Sequence, residues 1–334
     1  MRPEGEKKVF QWPAGAGGGL GPSEPEVSII VPTFCRPDGL RDTLESCLGQ
    51  RTDLGLPFEI VVVDNAPDAS ARPIVAGLQA GKVPIRYVHE PRPGISHARN
   101  AGFAQARGRL LALIDDDEQA SPDLLAHLTR AQRHYGADVV FGPVYPKFEP
   151  RPERYVGFLE QFYTYTLTRP TGSPVGERST NNALVRQACL RTAAPFDVDL
   201  GLTGGEDTLF FRQLRADGAR FVWCAEAFVT ERIPPERTSW SYVWRRSFQR
   251  GQCRASTPMR LDPPRKMHTA FWMVVGAAQF LSLLPAVGAL WLVDRQRALY
   301  CVWKMTGGLG KVMWMRRFRP QTYGKAAASA APQL

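Results

Sequence analysis

Short apolar runs, each stopped by an acid, a proline or a glycine, alternate along this chain with longer stretches whose apolar residues recur at helical spacing. Val27–Pro32 is a β-rich run closed by proline, and Leu40, Leu44 and Leu48 then mark one face of a helix. Phe58–Asp64 reads as a second strand ending in an acid, and Ile85–Val88 as a third. Ser96 is placed to cap a helix running to Gly108; Leu110–Ile114 is a fourth strand and Ser121–Tyr135 the next helix. Val139–Tyr145 follows as a fifth strand and Ser179–Val185 as a later one. Strands and helices alternating at this spacing predict an α/β fold, a mostly parallel sheet with helices on both faces.

The run Leu111–Glu118 carries the strongest chemical signal, because apolar residues suited to a buried parallel strand end abruptly in Asp115, Asp116 and Asp117. The carboxyl end of such a strand opens on the crevice where α/β sheets bind ligands. Asp115 and Asp117 are two apart and leave an extended strand end on the same face. Two hard oxygen donors there suit Mg²⁺ or Mn²⁺, which can bridge a diphosphate. The structural alternative is an acidic helix N-terminus before Ser121-Pro122. Asp64 caps a neighbouring strand at the same edge, the geometry of a nucleotide site. No G-x-G-x-x-G follows the first strand and no P-loop is present, which argues against dinucleotide binding and P-loop chemistry. Thr203–Arg215 is a glycine-rich turn opening an amphipathic helix, with Glu206 and Asp207 in a first turn where the helix dipole favours negative charge. One of these acids is a candidate general base. Asn181 and Asn182, at the start of the later strand, are suited to hydrogen-bonding hydroxyls.

Charge changes the picture only in the last third. Residues 236–334 hold 16 Lys/Arg against 3 Asp/Glu, so this part carries +13 of a chain whose total is +10. No motif that reads DNA or RNA accompanies it, and no nucleic-acid partner is expected; a basic zone facing anionic lipid fits better. Phe271–Val293 has 23 residues without a formal charge, and at ~1.5 Å per residue it is long enough for ~30 Å of hydrocarbon. It contains Gln279, Ser282 and Pro285 and is flanked on both sides by basic residues, Arg265 and Lys266 before it and Arg295 and Arg297 after it. Both ends are then expected on the cytoplasmic side, as a re-entrant or interfacial hairpin with Ala298–Met315 as its second, interfacial arm. The six cysteines are scattered and read as reduced thiols of a cytosolic compartment. Residues 1–26 are expected to be a flexible tail rather than a secretory signal, and 321–334 a second tail.

Taken together, Val27–Pro32, Val61–Asp64, Ser96–Gly102 with Gly108, Ile114–Asp117, Asn181–Asn182 and Gly205–Asp207 resemble, in order and spacing, the inverting family-2 glycosyltransferases of GT-A fold. Within that family the chain is similar to bacterial exopolysaccharide glucosyltransferases of the succinoglycan type. The resemblance covers roughly residues 27–255, leaving 256–320 as a basic, apolar, membrane-associated region. It implies a metal-dependent transfer of a hexose, glucose by preference, from a UDP-sugar to a polyprenyl-diphosphate-linked oligosaccharide at the cytoplasmic face of the inner membrane. By the same resemblance Asp64, Arg99, Asn100, Asp115 and Asp116 would contact the nucleotide-sugar. Asp117, with Asp115, would hold the metal; Asp207 would be the base and Glu206 would orient the acceptor or the helix. Asn181 and Asn182 would meet the acceptor. Many relatives carry a His near Val229–Pro234, where this chain has Thr230, and Arg245, Arg246 and Arg250 are the candidates to bind phosphate instead. The Q-x-x-R-W motif of processive synthases is absent, which points to single addition. A catalytically silent sugar-nucleotide-binding scaffold is the alternative of a different class. A nucleotidyltransferase is a third, weakened by the lack of glycines in Pro32–Pro37.

Overall fold

The computed structural model describes residues 24–52, 55–79 and 81–319, so both expected tails lie outside it except for Glu24, Pro25 and Glu26. Glu26 is buried and accepts hydrogen bonds from Arg109 and Arg133 at 2.7 and 2.6 Å, so the fold begins before the first strand. The elements are β1 (Val27–Thr33), α1 (Pro37–Leu48), β2 (Phe58–Asp64), α2 (Arg72–Leu78), β3 (Ile85–His89), α3 (Ile95–Gln105) and β4 (Leu110–Leu113). Next come β5 (Glu118–Ala120), α4 (Leu124–Tyr135), β6 (Val139–Phe141), β7 (Val144–Phe148), α5 (Val156–Tyr163) and β8 (Ala183–Arg186). The chain continues through α6 (Glu206–Ala216), β9 (Phe221–Trp223), β10 (Val229–Ile233) and α7 (Pro235–Thr238). It closes with the helices α8 (Trp240–Ser256), α9 (Lys266–Val293) and α10 (Arg295–Val312).

Seven strands form one sheet in the order β3-β2-β1-β4-β8-β6-β9, parallel except for β8, which runs against both neighbours. Alternation along the strands assigns the two faces. Val27, Ile29 and Val31 of β1 pack with Leu40 and Leu44 of α1, Ile74 of α2 and Leu124 and Leu128 of α4. Ile30 of the same strand points the other way, into a cluster with Phe103 of α3 and Phe210 and Phe211 of α6. This is the two-faced α/β arrangement the alternation predicts. Parallel register aligns Thr33 with Asp64 and Ile30 with Leu113, which puts the ends of β1, β2 and β4 at one edge.

Three local expectations are corrected. Val139–Tyr145 is not one strand: it breaks at Gly142-Pro143, and β7 leaves for a separate three-stranded sheet, β5-β10-β7. Ser121 does not start a helix, since β5 forms first and α4 begins at Leu124. Ser96 caps nothing; it sits in the first turn of α3 and its Oγ donates to the Asp197 carbonyl at 2.8 Å.

The C-terminal helices form a separate layer. α9 and α10 make a hairpin turning at Asp294, whose side chain caps α10 by accepting from the Arg297 amide. α10 lies between α9 and α8, and glycines set the spacing. A Cβ at Gly251 would strike the Gly307 carbonyl, one at Gly310 the Phe248 carbonyl, and one at Gly276 the Gly308 carbonyl. The outer side of α9 is bare: Phe271, Val274, Leu281, Leu284, Leu292 and Val293 are all exposed. It is the one helix among the described residues long and apolar enough to cross a membrane.

Candidate active site

The sheet edge carrying Thr33, Asp64 and Asp115 opens on a chamber of about 390 Å³. Its walls come from the β1–α1 loop, the β4–β5 turn, the start of α3, and residues of β10, α7 and α8. The three consecutive aspartates do different things there. Asp116 faces inward: its carboxylate accepts from Thr33 Oγ1 at 2.8 Å, the Phe34 amide at 3.3 Å and Arg36 at 2.9 Å, and it is 5% exposed. It clamps the turn to β1 through these three bonds while still lining the chamber. Asp115 and Asp117 flank it and line the chamber. Asp115 accepts from Arg99 Nη2 at 3.2 Å. Asp117 Oδ2 accepts from two guanidiniums, Arg36 at 2.9 Å and Arg237 at 2.7 Å.

A fourth and a fifth carboxylate join them. Glu231 of β10 lines the chamber and accepts from Arg237 at 2.9 Å. Burial, then the charge of Asp117, raises its carboxyl to about 7, against the pull of Arg237. Glu118 is fully buried and holds the Asp115 amide at 2.8 Å through one oxygen, while its Oε1 has no partner. Burial and Asp115 push Glu118 well above the usual carboxylate range. Strand alternation explains why Thr230 is not the relevant residue on β10: it turns away, beside Asp42 and Lys147, and its neighbour Glu231 faces the acids.

Three residues expected at the nucleotide-sugar or the acceptor serve the scaffold instead. Asp64 is fully buried and accepts from the Ala66 and Ala71 amides and the Tyr87 hydroxyl at 3.0, 2.8 and 2.9 Å; its neighbour Asn65 lines the chamber. Asn100 exchanges both amide hydrogen bonds with the Phe196 backbone, at 2.8 and 2.9 Å, pinning α3 to the segment before α6. Asn182 is buried in a left-handed conformation and donates to the Pro143 and Ala227 carbonyls, both at 2.8 Å, whereas Asn181 lines the chamber.

Asp207 and Glu206 open α6 after Gly205, whose φ of +97° favours a residue without a Cβ. They diverge. Asp207 lines a second chamber of about 270 Å³, where Ser179 Oγ donates to its Oδ2 at 3.0 Å and the Thr208 amide to its Oδ1 at 2.6 Å. Glu206 is 3% exposed and accepts from Arg99 Nη1 at 2.6 Å, with its other oxygen unpartnered. Burial and the adjacent Asp207 raise Glu206 to about 7. Arg99 is thus a bridge between Asp115 and Glu206, linking the two chambers through one buried side chain. Tyr165, Ser179, Arg246 and Arg250 line both chambers. Arg250 lies 4.5 Å over the Phe162 ring and bonds the Tyr165 hydroxyl; burial lowers it to about 10. Arg36, Arg237 and Glu231 escape a reading of the sequence, since each acquires its role from partners far away, such as Asp117 and Arg237, 120 positions apart.

Comparison with known proteins agrees with this geometry. Residues 28–192 match the profile of Glycosyl transferase family 2. The chain is 34% identical over 229 residues to the succinoglycan biosynthesis protein ExoM of Rhizobium meliloti, covering 68% of this chain and 73% of that protein. The mannosyltransferase PcManGT of Pyrobaculum calidifontis, solved with GDP-Man and Mn²⁺, superposes with a TM-score of 0.55 at 20% identity, over 87% of this chain and 88% of that one. TarS residues 1–349 of S. aureus, solved with UDP, gives 0.52 at 16% identity, over 86% and 90%. The likeness to ExoM over most of both chains, the family profile and the shared fold lead to one conclusion: the chain belongs to glycosyltransferase family 2 and is a glycosyltransferase of GT-A fold.

Proposed function

We propose that the protein is a metal-dependent inverting transferase. It moves a hexose, glucose by preference, from a UDP-sugar to a polyprenyl-diphosphate-linked oligosaccharide during exopolysaccharide synthesis, at the cytoplasmic face of the inner membrane. The observation that carries the reading is the placing of Asp207 in one chamber and Asp115–Asp117 in the adjoining one, with a shared wall between them. Relation to a succinoglycan biosynthesis protein supports the polysaccharide setting, and the bare apolar face of α9 supports the membrane.

The donor chamber suits a divalent cation by its chemistry. Asp115, Asp117 and Glu231 offer hard oxygen donors at the chamber wall, and Oε1 of the nearby buried Glu118 has no hydrogen-bond partner. Among the described residues no three such side chains already stand in coordinating geometry. When bound, Mg²⁺ or Mn²⁺ supplies Lewis-acid stabilisation of the leaving diphosphate. Arg36 and Arg237 hold Asp117 in place and add positive charge beside that diphosphate. Asp207 takes the proton from the acceptor hydroxyl as its oxygen bonds to the anomeric carbon. The bond from that carbon to the diphosphate oxygen breaks from the opposite face, inverting the centre. Ser179 keeps Oδ2 of Asp207 aimed into the chamber.

Transfer of labelled glucose from UDP-glucose to a lipid extract of the native membrane, with Mg²⁺ or Mn²⁺, tests the reading. Asp207→Asn should lower the rate by ~10²–10⁴ while UDP binding persists. A loss smaller than tenfold in the folded variant would assign the base elsewhere. UDP binding without transfer to any lipid would favour the silent scaffold.

A further inference from the structure

Five arginines line each chamber, but in the second, beside Asp207, fewer carboxylates meet them. Arg178, Arg212, Arg246, Arg250 and Arg254 line it against three carboxylates, of which Glu206 is already taken by Arg99. In the donor chamber Arg36, Arg99 and Arg237 each close on an aspartate. Arg178, Arg212 and Arg254 form no ion pair with a described residue. Arg178 Nε is buried without a hydrogen-bond partner. Burial, followed by neighbouring guanidiniums, lowers Arg178; burial lowers Arg212 against the opposing charge of Glu177, with Arg254 adding to the fall.

Helix geometry builds this cluster. Positions 246, 250 and 254 of α8 share one face at i, i+4 and i+8. Arg212 stands five residues beyond Asp207 on α6, about 7.5 Å along the axis. Gathering like charges in a partly enclosed space is costly unless an anion balances them, and guanidiniums bind phosphate oxygens with charge-assisted hydrogen bonds. The rim shows where such an anion would come from. Arg254 lies 5.0 Å over the ring of Trp272 in α9, so the arginines run directly onto the apolar helix.

We propose that the outer part of this chamber, where Arg254 meets Trp272, binds the diphosphate of the acceptor lipid through Arg178, Arg212 and Arg254, with its sugars reaching inward to Asp207 and the lipid chain leaving along α9. The inference rests on the lipid-linked acceptor of the proposed function. It divides the two diphosphates by chemistry: the donor's is met by a cation on carboxylates, the acceptor's by arginines without one.

The test uses the full chain in detergent micelles, with farnesyl diphosphate, inorganic pyrophosphate and UDP as separate probes. Arg178→Gln and Arg254→Gln should each weaken farnesyl diphosphate roughly tenfold, the worth of one charge-assisted hydrogen bond, and leave UDP within twofold. Arg254→Lys should recover part of the loss. Unchanged farnesyl diphosphate binding in both folded variants, or UDP weakening in parallel, overturns the proposal. Inorganic pyrophosphate binding as tightly as farnesyl diphosphate assigns the chamber to free phosphate and overturns its lipid part. Failure of the wild type to bind UDP or transfer sugar would count against the proposed function alone, because the farnesyl diphosphate arm reads the chamber independently.

Discussion

Arg99 and Glu206 form a buried pair, both about nine-tenths or more enclosed, and their environment makes two outcomes specific. Replacing Arg99 by Met leaves Glu206 without its counter-charge, and breaking a buried pair from one side costs about 3–5 kcal/mol. Urea unfolding should show that loss, whereas an exposed pair such as Arg51 with Asp123 should give ~1 kcal/mol or less when broken. The second outcome concerns pH. Glu206 is raised from 4.5 to about 7, so the folded state holds its proton more tightly than the unfolded chain. The stability linked to that proton is complete below 4.5 and is lost as pH rises to about 7, at up to ~1.4 kcal/mol for each pH unit crossed. Glu206→Gln should make this decline shallower between pH 4.5 and 7, leaving the part due to Glu231, Glu118 and Asp116, which are raised as well. Unfolding midpoints across that range that fall equally in wild type and variant would remove Glu206 as the cause. That Asp115, Asp117 and Asp207 line the chambers was legible in the sequence, because motif, strand end and helix start coincide there. Asn100 and Asn182 were misread for a physical reason. A buried amide that fills backbone hydrogen bonds has the same local sequence as one that greets a hydroxyl.

At the level of elements, long periodic stretches were read well and short ones poorly. β5 has three residues, Glu118–Ala120, without an apolar pattern; it exists because β10 pairs with it. The break at Gly142-Pro143 follows from space. Gly142 has the Ala227 carbonyl so close that no side chain fits. The helical layer depends on the same kind of approach. Gly251→Ala should force α8 and α10 apart and cost about 1–3 kcal/mol. Gly288, with nothing within 4 Å of its position, is the matched control, since alanine there should be neutral or gain up to ~1 kcal/mol of helix propensity. Melting curves in detergent separate the two cases, and equal shifts would mean that α10 is not packed as described.

The molecule as a whole is polarised, with acids gathered at the sheet edge and basic residues concentrated with the C-terminal helices. Attraction of that basic third to anionic lipid alone would be screened at 1 M salt, where the Debye length is about 3 Å. The exposed apolar face of α9 would not be. Full-length protein should therefore float with anionic vesicles in high salt, and Leu281→Lys with Leu284→Lys should abolish flotation. Release of the wild type by salt would reduce the attachment to surface charge. The apolar stretch and its basic flanks were visible in the sequence. That α10 lies wedged between α9 and α8, and α8 against the cleft, was not, because glycine contacts 32 to 62 residues apart decide it.

The bridge made by Arg99 has a thermodynamic corollary. On the proposed mechanism, a cation and diphosphate arriving at Asp115 would compete for one of the carboxylates Arg99 holds and leave its charge to Glu206, on the helix that presents Asp207. Ligands in the two chambers then share a coupling free energy, and whatever factor the donor adds to acceptor affinity the acceptor must return to the donor. Titrating UDP with Mn²⁺ in the presence and absence of farnesyl diphosphate, and the reverse, should give the same factor. Arg99→Lys, which cannot hold both carboxylates in one rigid fork, should bring that factor toward one.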